Sequence, residues 1–481
     1  MAIPRQIIRT RAINPRILFE DEKSLEIKVK KILSVYFGVS QLEQIQLIDS
    51  SRNSFYWVLS QLKGFVKKKK IILAGYNFSL MRDIVIKAGF EPVYADVSLK
   101  DFNISLDAIK KVIGKDVGIA IIPHLFGIVL REEIFEELKK HDIFIIEDCA
   151  HTYPLLCSKA KSISREDLND SIDSIKPYNT GTKGDIAIYS FNFSKQISAT
   201  YGGLIVLNNL NNPKFKVFRK IFFELENTLG SKEFLKELKI YFKSVISSLV
   251  FCKPVFNMIV FPIILFENKK GKKEDFIDRL SKDPITFTPQ PIKRMGKLGL
   301  MHLLSSFKGF FNRYEKIIKL QNIYDCFINL DSQNQELTFI EKSNRCCSYR
   351  EENIRVYNKE EHRNKEENNR EYISEEENNI EYRCSEESNK NETIKSNICR
   401  NKIAQFLYPI VVRDLKKAKK QLLKKGIDVK KDYCVDISNG VCKNARFLQS
   451  HVLYIPFHEK ISKKEANLIK SEIIKLTIKN V

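Results

Sequence analysis

The chain has 481 residues, 43% of them hydrophobic, and 81 Lys and Arg against 59 Asp and Glu, a formal net charge of +22. That length accommodates a large α/β domain, a smaller α+β domain and inserted segments. The basic residues are spread along the chain among Asn and Ile, and no helix-turn-helix, zinc-knuckle or aromatic ribonucleoprotein pattern accompanies them, which argues against a nucleic-acid-binding protein. The ten cysteines include no C-x-x-C pair, and the amino terminus lacks the continuous apolar core of a secretory signal, so reduced thiols in a cytoplasmic protein are expected.

In chain order, D-S-S-R-N-S-F-Y-W-V-L (49–59) is a serine-rich turn leading into a helix. Free N–H groups at such a helix start suit an anion, although the same pattern also serves as an ordinary N-cap. I-I-L-A-G-Y-N-F-S (71–79) runs from a strand into a loop, G-F-E-P-V-Y-A-D-V (89–97) holds a second strand, and Gly118 to Pro123 is a third, ending at His124, a turn-packing residue. Ile143 to Ile146 is a short apolar run of the kind found in buried parallel strands, and it ends in Glu147-Asp148-Cys149-Ala150-His151. Asp148 is therefore at a strand's carboxyl end, the edge at which open α/β sheets bind ligands.

The segment from Gly184 to Gly203, G-D-I-A-I-Y-S-F-N-F-S-K-Q-I-S-A-T-Y-G-G, sets Lys195 in an apolar strand-to-turn context, beside the hydroxyls of Ser190, Ser194 and Ser198. A second strand, Leu204 to Leu207, follows. An amine that can hold an aldehyde, together with a carboxylate that can pair with a protonated pyridine nitrogen, is the minimal signature of a pyridoxal phosphate site.

Further along, S-V-I-S-S-L-V-F-C-K-P-V-F-N-M-I-V-F-P-I-I-L-F (244–266) is apolar, but Lys253, Pro254, Asn257 and Pro262 argue against a regular transmembrane helix. It reads as a re-entrant or interfacial hairpin in peripheral contact with a membrane, or as a pair of helices buried at a subunit interface. Residues 341–402 are dominated by Glu, Asn, Arg, Lys and Ser and bury too little apolar surface to offset their ordering entropy, so a disordered or loosely helical insertion is expected. After it, 406–412 reads as a strand, Leu415 to Lys425 as a helix stopped by Gly426, and G-I-D-V as another strand.

These segments, in this succession, resemble the DegT/StrS family of sugar-nucleotide aminotransferases over most of 40–215 and 400–478; 443–458, with Ser462 before a charged helix, resembles the family's final strand and closing helix. The resemblance implies an α/β fold of the aspartate-aminotransferase type, with a mostly parallel, seven-stranded-type sheet between helices and a smaller α+β C-terminal domain. The expected division is a cofactor domain at 1–215, a helical connector at 216–290, a small domain at 291–340 and 403–481, and the insertion at 341–402. By the resemblance, Ser51, Arg52, Asn53 and Ser190 receive the cofactor phosphate, Phe78 stacks on the pyridine ring, Asp148 pairs with its nitrogen, and His151 lies near its phenolic oxygen. Lys195 holds pyridoxal 5'-phosphate as a Schiff base, and no metal is expected.

The implied activity moves an amino group from an amino acid such as glutamate to a keto-sugar nucleotide, in a homodimer. The family commonly has Gly-Thr where this chain has Arg52-Asn53, so a guanidinium is expected to carry part of the phosphate charge. Relatives also carry an Asn-Tyr-Arg-Met type segment that reaches the partner subunit's phosphate, where this chain has Ile292-Lys293-Arg294-Met295. Those departures and the inserts keep two alternatives open: an inactive relative serving as an interaction or membrane-associated scaffold, and a sugar dehydratase with the same cofactor, in which a histidine usually replaces the lysine.

Overall fold

The computed structural model describes residues 1–6, 19–37, 39, 41–152, 180–209, 213–270, 286–307, 310–330 and 406–476. The insertion expected at 341–402, and most of the connection between Thr152 and Lys183, lie outside them.

Seven strands form one sheet: β1 (Ile45–Ile48), β2 (Lys70–Ala74), β3 (Glu91–Ala95), β4 (Val117–Pro123), β5 (Phe144–Asp148), β6 (Ile186–Ser190) and β7 (Gly203–Leu207), in the order β1-β7-β6-β5-β4-β2-β3. The neighbours from β6 to β3 pair in parallel, while β7 is antiparallel to both β6 and β1. The central strands β4 and β5 are buried at every position, and only continuous apolar runs satisfy a strand that is covered on both faces.

The helices before and between the strands are α1 (Glu22–Phe37), α2 (Ser51–Leu62), α3 (Met81–Lys87), α4 (Leu106–Val112) and α5 (Glu132–Lys140). In α5 the apolar stripe Ile134, Phe135 and Leu138 is buried, acids fill the first turn and lysines the last, so both burial and the helix dipole favour it. After the sheet come α6 (Lys216–Thr228), α7 (Phe234–Val250), α8 (Phe261–Lys269), α9 (Lys297–Phe307) and α10 (Phe310–Leu330). Phe55 and Val58 of α2, Ile84 of α3, and Phe218 and Phe222 of α6 pack with the sheet's alternate residues in one apolar cluster.

In the C-terminal part, β8 (Tyr408–Val411) pairs antiparallel with β9 (Val452–Ile455), flanked in sequence by α11 (Leu415–Lys424), α12 (Lys443–His451) and α13 (Lys463–Ile474). Asp414 caps α11 by accepting the Lys417 N–H, and Gly426 ends it at φ +79°, a conformation that costs glycine little. Two expectations change here. G-I-D-V forms no strand, only isolated bridges at Ile427 and Lys430, and the nine residues from Lys443 are helical before β9 begins, because Ala445 and Leu448 share one buried helical face.

A two-residue ladder, Val435–Asp436 against Tyr76–Asn77, ties this part to the loop after β2. That ladder brings the residues just before Val435 to the carboxyl edge of the sheet.

Candidate active site

β5 delivers two neighbouring carboxylates, which a strand's alternation turns to opposite faces. Glu147 is fully buried and fully occupied. It accepts from the backbone N–H groups of Gly181 (3.0 Å), Lys183 (2.7 Å) and Gly184 (2.6 Å), and its Oε2 lies 2.8 Å from His124 Nε2. Burial raises its pKa, but the His124 contact and those backbone donors outweigh it and hold Glu147 below the usual carboxylate range.

Asp148 is also buried, but its only side-chain hydrogen bond within the described chain is the Ala150 N–H donated to Oδ1 at 3.0 Å. Burial raises its pKa, partly offset by the Ala150 bond and by the positive charge of Lys195. A carboxylate with one oxygen unengaged at the sheet's carboxyl edge suits a cationic N–H donor.

Lys195, on the loop after β6, is 9% exposed. Its Nζ lies 4.4 Å from the centre of the Phe406 ring, a cation–π distance, and 3.5 Å from the Tyr433 hydroxyl. Ser190, at the end of β6, shares a cleft with Lys195, Thr152, Gln196 and Phe406.

His151 Nδ1 accepts the Phe126 N–H at 3.1 Å, which assigns the ring proton to Nε2. Its ring lies between Phe126 (centroids 6.0 Å apart) and Phe406 (5.1 Å). Burial first, and then the Lys195 charge, hold its pKa well below 6.5. His151 is thus a neutral imidazole, and its Nε2–H can donate to an oxygen. Phe126 takes φ +61°, unusual for an aromatic residue, and this left-handed turn aims its N–H at His151.

At the start of α2 the residues divide their work differently from the expectation. Ser50 is the N-cap, accepting the Asn53 N–H at 3.3 Å. The Ser51 hydroxyl points inward and donates to the carbonyls of Tyr189 (3.0 Å) and Gly202 (3.2 Å), fastening the helix start to β6 and β7. Gly203 makes that approach possible, since a Cβ there would sit 2.3 Å from Ser51 Oγ. Asn53 Oδ1 accepts the Gln290 N–H at 3.3 Å, and the Arg52 guanidinium lies over the Phe78 ring at 5.5 Å. Phe78 therefore carries a cation on one face. The phosphate-facing capacity of this turn rests in its backbone N–H groups and in Arg52 more than in the Ser51 hydroxyl.

Arg294 is engaged in its own chain: Nη2 donates to the Glu226 carbonyl at 2.6 Å, while Lys293 and Met295 hydrogen-bond alongside the end of β1. Phe406 and Tyr433, which close over Lys195, were not among the expected site residues. Their only sequence signal is aromatic character before β8 and before the Val435 ladder, because the contacts that bring them in are long-range.

The donor set fits pyridoxal phosphate. A buried amine, a half-engaged carboxylate, a neutral imidazole N–H and a helix start with a guanidinium match, in turn, an aldehyde, a ring N–H, a phenolic oxygen and a phosphate.

Residues 56–221 match the model of the DegT/DnrJ/EryC1/StrS aminotransferase family. A GDP-perosamine synthase of Vibrio cholerae is 23% identical over 192 residues, 40% of this chain and 44% of that protein. The chain spans less than half the length of the curated relatives it matches. Two solved structures share its fold. PseC of Helicobacter pylori, an aminotransferase involved in pseudoaminic acid biosynthesis, has a TM-score of 0.58 at 13% identity and covers 99% of both chains. The pyridoxal phosphate form of the putative sugar aminotransferase Spr1654 of Streptococcus pneumoniae has a TM-score of 0.59 at 12% identity, covering 99% of this chain and 98% of that one. Over residues 56–221, about a third of its length, the chain is similar to the DegT/DnrJ/EryC1/StrS aminotransferase family.

Proposed function

We propose that this chain is a pyridoxal-phosphate-dependent aminotransferase that moves an amino group from an amino acid of the glutamate type to a keto-sugar nucleotide. The observation that carries the reading is the meeting of three buried groups at one sheet edge: the Lys195 amine, the half-engaged Asp148 and the neutral His151. The match of residues 56–221 to the family model and the pyridoxal phosphate form of a structural neighbour support the choice of cofactor.

When bound, pyridoxal phosphate supplies an aldehyde that takes up amines and a ring that withdraws electrons from the adjacent carbon. The protein's own groups do the rest. Lys195 Nζ would hold the aldehyde, and its amine, when free, would serve as the base that moves a proton at the reacting carbon. Asp148 would accept a ring N–H and so favour the protonated ring. His151 would donate its Nε2–H to the phenolic oxygen. The first turn of α2, with Arg52 and Asn53, and Ser190 at the end of β6, bind the phosphate and fix the ring's position. Phe78 would cover one ring face, and Phe406, against the Lys195 amine, would limit water there. The reading carries a homodimer and a cytoplasmic enzyme, as the resemblance implies.

The test is the visible absorption spectrum of protein incubated with pyridoxal phosphate, before and after glutamate. A bound-cofactor band that shifts on adding glutamate, followed by amine transfer to a keto-sugar nucleotide, supports the reading. No bound cofactor in the purified, folded protein contradicts it.

A further inference from the structure

Helix α7 faces the wrong way for a helix that only supports a core. Glu237 and Ser244, both buried, mark its inward side, where Glu237 accepts from the Tyr201 hydroxyl and from the Gly299 N–H. Pinning that polar side inward turns Leu235, Phe242, Ile246 and Leu249, spaced by seven, four and three residues, outward along one helical stripe. In the bent continuation, Met258 and Phe266 point outward as well, and these six side chains are 55% to 79% exposed. From Pro254 to Phe266 no charged residue interrupts the segment. Soluble proteins rarely leave so continuous an apolar face uncovered.

The border of this face is cationic. Lys239 and Lys243 lie on the flank of the α7 stripe, exposed and without an acidic partner among the described residues, and Lys269 and Lys270 close the far end. Lys270 rests its ammonium 4.3 Å from the Phe266 ring centre. Apolar side chains ringed by unpaired lysines complement a surface that is apolar inside and negative at its rim. A bilayer with anionic headgroups has that profile. A second copy of the chain does not, because two-fold pairing of this face sets lysine rim against lysine rim. No single helix among the described residues is long and apolar enough to cross a membrane; α7 and the helical segment after it, bent by 61°, meet that length and composition only as a pair, and the lysines bordering the stripe favour a face laid on the headgroups.

We propose that the outer face of α7 and α8 docks the protein on an anionic lipid surface, with the aromatic and aliphatic side chains entering the headgroup boundary and the lysines engaging lipid phosphates. This inference is independent of the cofactor reading, since docking needs no catalysis.

The experiment is flotation of the full-length protein with phosphatidylcholine vesicles, with or without phosphatidylglycerol. The protein should float with the anionic vesicles only, and less so near 1 M salt, where the Debye length is about 3 Å. K239A/K243A should weaken partitioning roughly 25-fold, about fivefold per lysine. F242S/I246S/L249S, all at exposed positions, should weaken it by more than about tenfold with the cofactor spectrum unchanged. Wild-type protein that stays out of anionic vesicles, or flotation indifferent to both variants, overturns the proposal. So does a halved particle mass for the triple variant in light scattering, which assigns the face to a second copy.

Discussion

Glu147 and Asp148 are consecutive carboxylates on one strand, both buried, yet the structure treats them in opposite ways. Glu147 meets three backbone N–H groups and His124, and its pKa is lowered; Asp148 has one side-chain hydrogen bond among the described residues, and burial raises its pKa. A buried charge whose acceptor sites are filled by its own chain holds structure together, while one left partly unmatched among the described residues has room for a partner from elsewhere. The same contrast separates the two ends of the site. The Lys195 end gathers a buried amine, carboxylate and imidazole, whereas at the α2 end Arg52 lies over Phe78 and the Ser51 hydroxyl turns inward.

The largest effect that sharpens this contrast is Glu147→Ala. It strands three buried N–H donors and His124, and should cost about 3–5 kcal/mol of stability in denaturant titrations. Asp148→Asn should do the reverse, leaving the cofactor-free protein at least as stable because a penalised buried charge is gone. Cofactor affinity should nevertheless fall about tenfold or more, as a charge-assisted bond becomes a neutral one. If Asp148→Asn loses stability and keeps affinity, the contrast fails.

At the other end, Arg52→Ala should weaken cofactor binding by roughly tenfold, the scale of one charge-assisted hydrogen bond, with little change in melting temperature. Unchanged affinity would assign the phosphate to the backbone N–H groups of α2 alone.

The smallest effect is on acid sensitivity. Glu147 binds its proton less readily folded than unfolded, so its contribution is present above its ordinary pKa of 4.5 and is lost as pH falls below it. Asp148, whose folded pKa is raised above 3.8, works in the opposite sense and eases folding on acidification. Stability curves of Glu147→Gln and Asp148→Asn measured between about pH 3 and 6 should therefore depart from wild type with opposite slopes.

Much of the sheet was legible in the sequence because buried parallel strands must be continuously apolar. All but the first residue of Ile143 to Ile146 lies within β5 and Gly118 to Pro123 within β4, and the strand-end position of Asp148 follows from the first of these runs. Helix α11 was legible because its stop signal, Gly426, is local. What depends on distant contacts was not. Ser51 offers its hydroxyl to Tyr189 and Gly202, far along the chain, so its inward turn could not be read from the serine-rich loop. Phe406 and Tyr433 reach Lys195 only through the ladder at Val435 and the packing of the C-terminal part. The apolar content of 244–266 was plain, but which side of α7 faces out depends on the burial of Glu237, a tertiary fact.

The account stands on Lys195, and the most direct test is to reduce the protein with borohydride in the presence of pyridoxal phosphate and map the modified peptide by mass spectrometry. The account predicts one stoichiometric phosphopyridoxyl adduct on Lys195, absent in Lys195→Ala, whose transamination rate should drop roughly 10²–10⁴-fold. An adduct spread over surface lysines, or one that survives Lys195→Ala undiminished, would contradict it.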